Sequence, residues 1–231
     1  MTNLLIKNND SKVIAPTVNC AKALVDTLSE LGVNSVFGYP GAAVLSIYQE
    51  LSQVNNIRHY LVRHEQAAVH AAEGYARITG MPGVVLVTSG PGFTNTITGI
   101  ANAHADSTPL VILAGDVPSN NNKGKVFQKV DIISMTKTCS KKNYIVTSKD
   151  DIKQVIREAF EVANTGEKGP VIIVLPRNIL ESKYIQKISK DLHKKKAQPI
   201  QEIEFEKTKG SSDQTTEGIR EERNTPRSWN T

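Results

Sequence analysis

Three loops in this sequence carry residue types that suit ligand binding. Each follows an apolar run and precedes a helical pattern, and the loops are residues 37–43 (FGYPGAA), 63–66 (RHEQ) and 88–95 (TSGPGFTN). Glycine lets a ligand approach the backbone closely, and N–H groups at a helix start bind anions or polar rings. The phosphate-loop pattern G-x-x-x-x-G-K-[ST] is absent from the sequence, and G-x-G-x-x-G fails because Asn95 occupies its last position. A tight strand-to-helix turn and a ligand loop both explain residues 89–92.

Glu65 is the candidate residue for acid–base chemistry. It follows the apolar end of a predicted strand at residues 60–62 and opens the alanine-rich segment AAVHAAEGYA. One interpretation is a first-turn carboxylate that is favoured by the helix dipole, since Glu is common in that position. The other is a partly buried carboxylate that exchanges a proton with a heterocycle. The residues alone leave both interpretations open.

Other polar residues have less distinct roles. His64 and His70 are interpreted as structural or surface histidines, because no Ser or Cys nucleophile lies in a recognisable elbow with them. Gln128 stands beside Phe127 in a loop rich in Asn and Lys. It is either a ligand contact or an ordinary polar loop residue.

The composition is that of a globular protein and argues against several classes. The 231 residues are 39% hydrophobic and 22% charged, with a net charge of +5 that is not concentrated in one basic block, so a nucleic-acid partner is not expected. Cys20 and Cys139 match no metal-ligand spacing, which predicts reduced thiols in a cytoplasmic protein without a zinc site. No signal-peptide pattern and no run of about 18 apolar residues is present, so neither secretion nor a membrane span is expected.

The elements that must position these loops follow an α/β pattern. Strands are expected at 33–37, 57–62, 83–88, 110–114, 143–146 and 171–175, and helices at 17–31, 43–53, 64–79, 93–105 and 150–164. Runs such as VVLV and VIIVL are apolar throughout, which is typical of strands covered on both faces. With right-handed crossovers, the pattern predicts a doubly wound, mainly parallel six-stranded sheet with helices on both faces.

The chain divides into three predicted segments. Residues 16–180 form the ordered domain, and residues 1–15 are expected to be a flexible N-terminus. Residues 181–231 are rich in charged side chains and contain few large apolar ones. Apart from a short amphipathic pattern near residues 184–192, their apolar residues follow neither the helical period nor the alternation of a strand. A polar linker or disordered tail is therefore expected after residue 180.

In combination, the loop segments resemble a known family. The segments that carry the resemblance are FGYPGA at 37–42, VRHEQAAVHAAEGYARITG at 62–80, LVTSGPGFTNTITGIANAHADSTPLVILAGDVP at 86–118 and FQKVDI at 127–132. They are similar to the N-terminal pyrimidine-binding domain of thiamine-diphosphate-dependent enzymes, most closely to the large subunit of acetolactate (acetohydroxyacid) synthase. The resemblance covers residues 16–180, and the sequence departs from the family pattern at Ala42, Ala67, Asp116 and Lys129.

The resemblance implies a role for each candidate residue. Glu65 would be the catalytic glutamate, which hydrogen-bonds the pyrimidine N1′ of thiamine diphosphate and so activates the cofactor. Phe127 would border the substrate pocket or an FAD. The cofactor-binding residues implied are Tyr39, Pro40, Gly41, Glu65, Thr88, Pro91, Asn95 and Gln128. The implied reaction is a transferase step of branched-chain amino-acid biosynthesis, in which pyruvate is decarboxylated and joined to a second 2-keto acid.

The sequence lacks the acidic GDG-type motif with which complete members of this family hold magnesium and the cofactor's phosphates. The main sites for Mg²⁺ and FAD are therefore expected outside this sequence, in a homo-oligomer or in a chain that supplies the diphosphate-binding domain. The prediction is the N-terminal part of an acetolactate synthase, inactive alone and truncated or frameshifted. The alternatives are a non-catalytic module that docks on a full-length synthase subunit, a fragment of another thiamine-diphosphate oxidase or decarboxylase, and a generic nucleotide-binding domain.

Overall fold

The computed structural model describes residues 17–120 and 126–185 of the chain. The strands in this part are β1 (Thr17–Asn19), β2 (Ser35–Gly38), β3 (Arg58–Leu61), β4 (Gly83–Val87), β5 (Leu110–Asp116), β6 (Lys142–Ile145), β7 (Pro170–Pro176) and β8 (Lys183–Ile185). The α-helices in this part are α1 (Cys20–Glu30), α2 (Leu45–Leu51), α3 (Glu65–Thr79), α4 (Pro91–Thr94), α5 (Ile97–Ala105), α6 (Ile132–Thr136), α7 (Ile152–Asn164) and α8 (Arg177–Leu180). Short 3₁₀ turns at Ala42–Val44 and Lys149–Asp151 lead into α2 and α7.

Six of these strands form one parallel sheet in the order β3-β2-β4-β5-β7-β6. Successive residues of its central strands point to opposite faces, and both faces are covered. On one face Leu86, Leu113 and Ile173 belong to a core that includes residues of α1, α2 and α7. On the other face Val85 and Ile112 pack with residues of α3 and α5. The prediction of a doubly wound six-stranded sheet is confirmed.

The first predicted helix begins later than its apolar period indicates. Residues 17–19 form β1, which pairs antiparallel with β8. The side chain of Asn19 then accepts a hydrogen bond of 2.7 Å from the backbone N–H of Lys22 and caps α1. Such a side-chain acceptor satisfies a helix N–H group that would otherwise lack a partner. The helix therefore begins at Cys20 rather than Thr17.

The helix predicted over residues 93–105 is divided into α4 and α5. The backbone N–H of Thr96 donates to the carbonyl of Phe93 at 2.9 Å, and the Thr96 hydroxyl donates to the same oxygen at 2.6 Å. This pair of local bonds occupies the carbonyl that a continuous helix would offer to Ile97, so the helix is interrupted there. The interruption gives Asn95 a position between two helices.

The described structure extends past the domain end that the sequence predicts at residue 180. β8 lies beyond residue 180 and pairs with β1, so the described structure continues through residue 185. The predicted N-terminal segment at residues 1–15, and the tail from residue 186 onward, lie outside the described residues. Within the described part, no helix is long and apolar enough to cross a membrane.

Candidate functional site

The three predicted loops meet at the carboxyl end of the sheet. β2 has β3 on one side and β4 on the other, and Gly38 pairs in register with Leu61 of β3 and Leu86 of β4. The connection after β2 leads to β3 on one side, and the connection after β4 leads to β5 on the other side. The loops that follow β2 and β4 therefore diverge and leave a crevice between them. Open α/β sheets bind ligands at such a reversal of strand order.

Glu65 is buried at the start of α3. It is 8% exposed, and Oε2 of its carboxylate accepts a hydrogen bond of 2.9 Å from Nδ2 of Asn95. Among the described residues no hydrogen bond is made to Oε1, which would lie 3.2 Å from a Cβ atom placed on Gly92. The preceding residue, His64, accepts from the N–H of Gln66 through Nδ1 at 3.3 Å and caps the helix. Within residues 17–120 and 126–185, Glu65 therefore has one carboxylate oxygen without a hydrogen-bond partner, beside the third loop.

Glycines bring the first and third loops into direct contact. A Cβ atom at Gly41 would lie 2.4 Å from Cβ of Thr88, and one at Gly92 would lie 2.7 Å from Cγ2 of Thr88 and 3.2 Å from Oε1 of Glu65. Oγ1 of Thr88 also accepts a hydrogen bond of 3.4 Å from the N–H of Ala43. Because a larger residue would collide with the Thr88 side chain at either glycine, Gly41, Thr88 and Gly92 form a tightly packed wall beside Glu65.

Gln128 reaches the same wall from a distant part of the chain. A Cβ atom at Gly90 would lie 2.7 Å from both Cα and the carbonyl oxygen of Gln128. Gly90 and Gln128 have φ angles of +59°, a conformation that few residues other than glycine adopt. The loop holding Gln128 is thus fitted against the third loop, whereas the neighbouring Phe127 is 84% exposed.

The other predicted residues lie at the rim. The N–H of Tyr39 donates to the carbonyl of Leu86 at 3.3 Å, and the Tyr39 side chain is 42% exposed. Pro40 and Pro91 are exposed, with Pro91 at the first position of α4. The structure therefore places Gly41, Thr88 and Asn95 at Glu65 or beside it, and leaves Tyr39, Pro40, Pro91 and Phe127 with surface that a ligand could cover.

Tyr48 and His59 are site neighbours that the sequence analysis missed. Oη of Tyr48 lies 3.2 Å from Nε2 of His59, and the two rings meet edge to face at 4.9 Å. Burial and the negative charge of Glu65 both raise the pKa of Tyr48. Burial lowers the pKa of His59, while a hydrogen bond to the Gly38 backbone opposes this shift. No local pattern in the sequence pairs residues of α2 and β3, so no signal could have found them.

His70 takes part in a second buried carboxylate pair. Nδ1 of His70 lies 2.6 Å from Oε2 of Glu73, and Nδ2 of Asn102 donates to Oε1 of Glu73 at 2.7 Å. Glu73 is only 4% exposed. In this pair both oxygens of the Glu73 carboxylate have protein partners, one of which is His70.

The departures from the family pattern do not crowd the crevice. Ala42 and Ala67 are both exposed. Burial raises the pKa of Asp116, and a hydrogen bond from the N–H of Val117 and the charge of Lys129 oppose that rise. Asp116 and Lys129 thus carry opposite charges that attract each other near the end of β5.

A cavity of about 340 Å³ lies away from these residues and is lined by His104, Lys141, Thr165, Gly166, Glu167 and Lys168. These segments precede β5, β6 and β7, so the cavity is at the amino end of the sheet. The Lys141 ammonium already donates to the carbonyls of Val162 and Thr165 near the end of α7. Across residues 17–120 and 126–185, no group of three or more His, Cys, Asp or Glu side chains could hold a metal ion.

Comparison with known proteins agrees with this geometry. The family model "Thiamine pyrophosphate enzyme, N-terminal TPP binding domain" matches residues 18–135, slightly more than half of the chain. The acetolactate synthase isozyme 3 large subunit of Escherichia coli K12 is 51% identical over 160 residues, which are 69% of this chain and 28% of the relative. The acetolactate synthase large subunits of Buchnera aphidicola from Acyrthosiphon pisum and of Corynebacterium glutamicum are each 48% identical, over 72% and 69% of this chain and 30% and 25% of the relatives.

The chain thus spans less than a third of the length of these relatives. The matched residues include all three loops and the buried glutamate. The resemblance inferred from the loop motifs is confirmed, and the chain belongs to the thiamine pyrophosphate enzymes, as a member of the family of their N-terminal TPP binding domain.

Proposed function

We propose that this chain supplies the pyrimidine-binding half of a thiamine diphosphate site in an acetolactate synthase, with Glu65 as the catalytic carboxylate. One observation carries the proposal: Glu65 is buried at the reversal of strand order, with Oε2 bonded to Asn95 and Oε1 free of hydrogen bonds from the described residues. The names and identities of the relatives support the assignment to acetolactate synthase.

The crevice fits a flat heterocycle. Gly41 and Gly92 carry no side chains and pack on Thr88, so no side chain at these two positions would obstruct a ring beside Glu65. The free oxygen of Glu65 is an acceptor for a protonated ring nitrogen. Tyr39, Pro40 and Pro91 would border the ring from the rim, and Gln128 would approach it from its own loop. Phe127 would cover the substrate pocket or an FAD.

Within that arrangement, Glu65 holds and exchanges the proton of the pyrimidine N1′. Its burial reduces competition from water and strengthens a hydrogen bond to the ring. When bound, thiamine diphosphate would supply the nucleophilic centre and the electron sink that decarboxylation of a 2-keto acid requires. The packed wall of Gly41, Thr88 and Gly92 would hold the ring beside Oε1 of Glu65.

The remaining components would come from outside the described residues. Mg²⁺ and the diphosphate group would be held by a diphosphate-binding domain, supplied by a homo-oligomer or by another chain. The substrates would be pyruvate and a second 2-keto acid, and the protein would act in the cytoplasm without a nucleic-acid or membrane partner.

A chimera tests the proposal. Residues 17–180 of this chain would replace the aligned segment of the E. coli isozyme 3 large subunit, and acetolactate formation from pyruvate would be measured. Glu65→Gln should reduce the rate by about 10²–10⁴-fold, the usual contribution of a general acid–base group. Glu73→Gln is the matched control: it changes a buried glutamate of the same helix that has both oxygens bonded, and it should leave most of the activity.

Two results would contradict the proposal. A Glu65→Gln chimera as active as its parent would remove the catalytic role of Glu65. A parental chimera that folds and associates normally but forms no acetolactate would favour the non-catalytic docking module instead.

A further inference from the structure

Two asparagine–glutamate hydrogen bonds join α3 to the α4–α5 segment. Nδ2 of Asn95 donates to Oε2 of Glu65 at 2.9 Å, and Nδ2 of Asn102 donates to Oε1 of Glu73 at 2.7 Å. Both carboxylates are buried. Glu65 and Glu73 are eight residues apart on α3, about two helical turns, so both bonds lie on one side of that helix.

The helices approach closely between these bonds. A Cβ atom at Gly99 of α5 would lie 2.6 Å from Cβ of Val69 on α3. Asn95 is also fixed at its backbone, since its N–H donates to the carbonyl of Pro91 at 3.1 Å. The adjacent Phe93 is completely buried. The packing therefore determines where the Asn95 amide lies relative to α3, independently of any ligand.

The two carboxylates differ in their second oxygen. Oε2 of Glu73 has His70 as a partner at 2.6 Å, whereas Oε1 of Glu65 has no hydrogen-bond partner among the described residues. A carboxylate with one oxygen held can rotate little about its last torsion without losing that bond. The bond from Asn95 thus fixes the orientation of the Glu65 carboxylate, and with it the direction in which the second oxygen points.

We propose that Asn95 is a positioning residue that acts through Glu65: its amide holds Oε2, and so directs Oε1 towards the ligand. This inference rests on the proposed function for the identity of the ligand. It differs from the role that the family resemblance implies, in which Asn95 contacts the cofactor itself. The side-chain amide of Asn95 supplies an N–H donor that a carboxylate oxygen can accept.

The first test needs no ligand. The side-chain amide signals of Asn95 and Asn102 would be followed by ¹H–¹⁵N NMR in the full chain and in two variants. Glu65→Gln should shift the Asn95 signal and leave that of Asn102 in place, and Glu73→Gln should do the reverse. If Glu65→Gln leaves the Asn95 signal where it is, the proposal is overturned.

The second test is a double-mutant cycle on binding of thiamine diphosphate to the chimera with the E. coli large subunit, which supplies the diphosphate-binding domain. Asn95→Ala should weaken binding by about tenfold, the loss expected for one hydrogen bond of about 1.4 kcal/mol. Adding Asn95→Ala to Glu65→Gln should weaken it no further, because the amide acts through the carboxylate. Losses that multiply would show that Asn95 contacts the ligand independently, and would overturn the inference.

Asn102→Ala is the matched control for loosened packing. It removes the equivalent bond between α3 and the α4–α5 segment, so a general loosening would weaken binding in this variant too. Equal losses in Asn95→Ala and Asn102→Ala would contradict the positioning role. If the parental chimera folds but does not bind thiamine diphosphate, while the Asn95 signal responds to Glu65→Gln, the proposed function fails and the Asn95–Glu65 bond stands.

Discussion

Gly38 is the position at which adding a single methyl group should disturb the junction beneath the site most. A Cβ atom there would lie 2.0 Å from the carbonyl oxygen of Leu86 and 3.1 Å from Oη of Tyr48. The Leu86 oxygen belongs to the backbone of β4 and accepts a hydrogen bond from the N–H of Tyr39. Neither strand can move aside locally, so Gly38→Ala must separate β2 from β4 where the crevice begins.

The magnitude follows from these contacts. Overpacking of a core typically costs about 1–3 kcal/mol, and a lost backbone hydrogen bond adds about 1 kcal/mol. We therefore expect Gly38→Ala to lower the free energy of unfolding by about 3 kcal/mol. With a urea dependence of about 2 kcal/mol per M, the unfolding midpoint should fall by about 1.5 M.

Gly74 provides a control of opposite sign. It lies inside α3, and apart from the backbone of its own helix and its two chain neighbours, no heavy atom would lie within 4 Å of a Cβ atom there. Alanine is favoured over glycine in a helix interior by about 0.5–1 kcal/mol, so Gly74→Ala should raise the midpoint slightly. Urea unfolding followed by circular dichroism measures both variants. The packing argument fails if Gly38→Ala unfolds at the same urea concentration as the unmodified chain.

Two further predictions concern titration. Burial and the charge of Glu65 raise the pKa of Tyr48, so Glu65→Gln should lower that pKa. Ultraviolet titration of the phenol would measure the change, with Tyr48→Phe as the blank. An unchanged pKa would show that the charge of Glu65 does not act on Tyr48. Burial lowers the pKa of His59 in the folded chain, so the unfolded chain binds more protons as the pH falls below about 6.5. Stability should therefore decrease on acidification below that pH, and His59→Gln should reduce this decrease in thermal melts at pH 7 and pH 5. An equal pH dependence in both proteins would exclude His59 as its source.

Local patterns in the sequence predicted most of the fold. The uninterrupted apolar runs of β4, β5 and β7 indicated strands covered on both faces, and both faces are covered. The exceptions depend on partners distant in the chain or on single side chains. β1 forms because residues 183–185 lie beside it, and the bonds of Thr96 to the Phe93 carbonyl interrupt a helix whose apolar period continues.

For the site, the sequence by itself determined which residue types stand at the ends of the strands, and their motifs identified the family. It did not decide between an exposed first-turn carboxylate and a buried one at Glu65. Tertiary structure decided this, because α4 and α5 pack on α3 and bring Asn95 to within 2.9 Å of a carboxylate that lies 30 residues earlier. The same packing placed Gly41 against Thr88 and Gln128 against Gly90. Such contacts depend on the distance between elements rather than on local periodicity, and only the folded chain sets that distance.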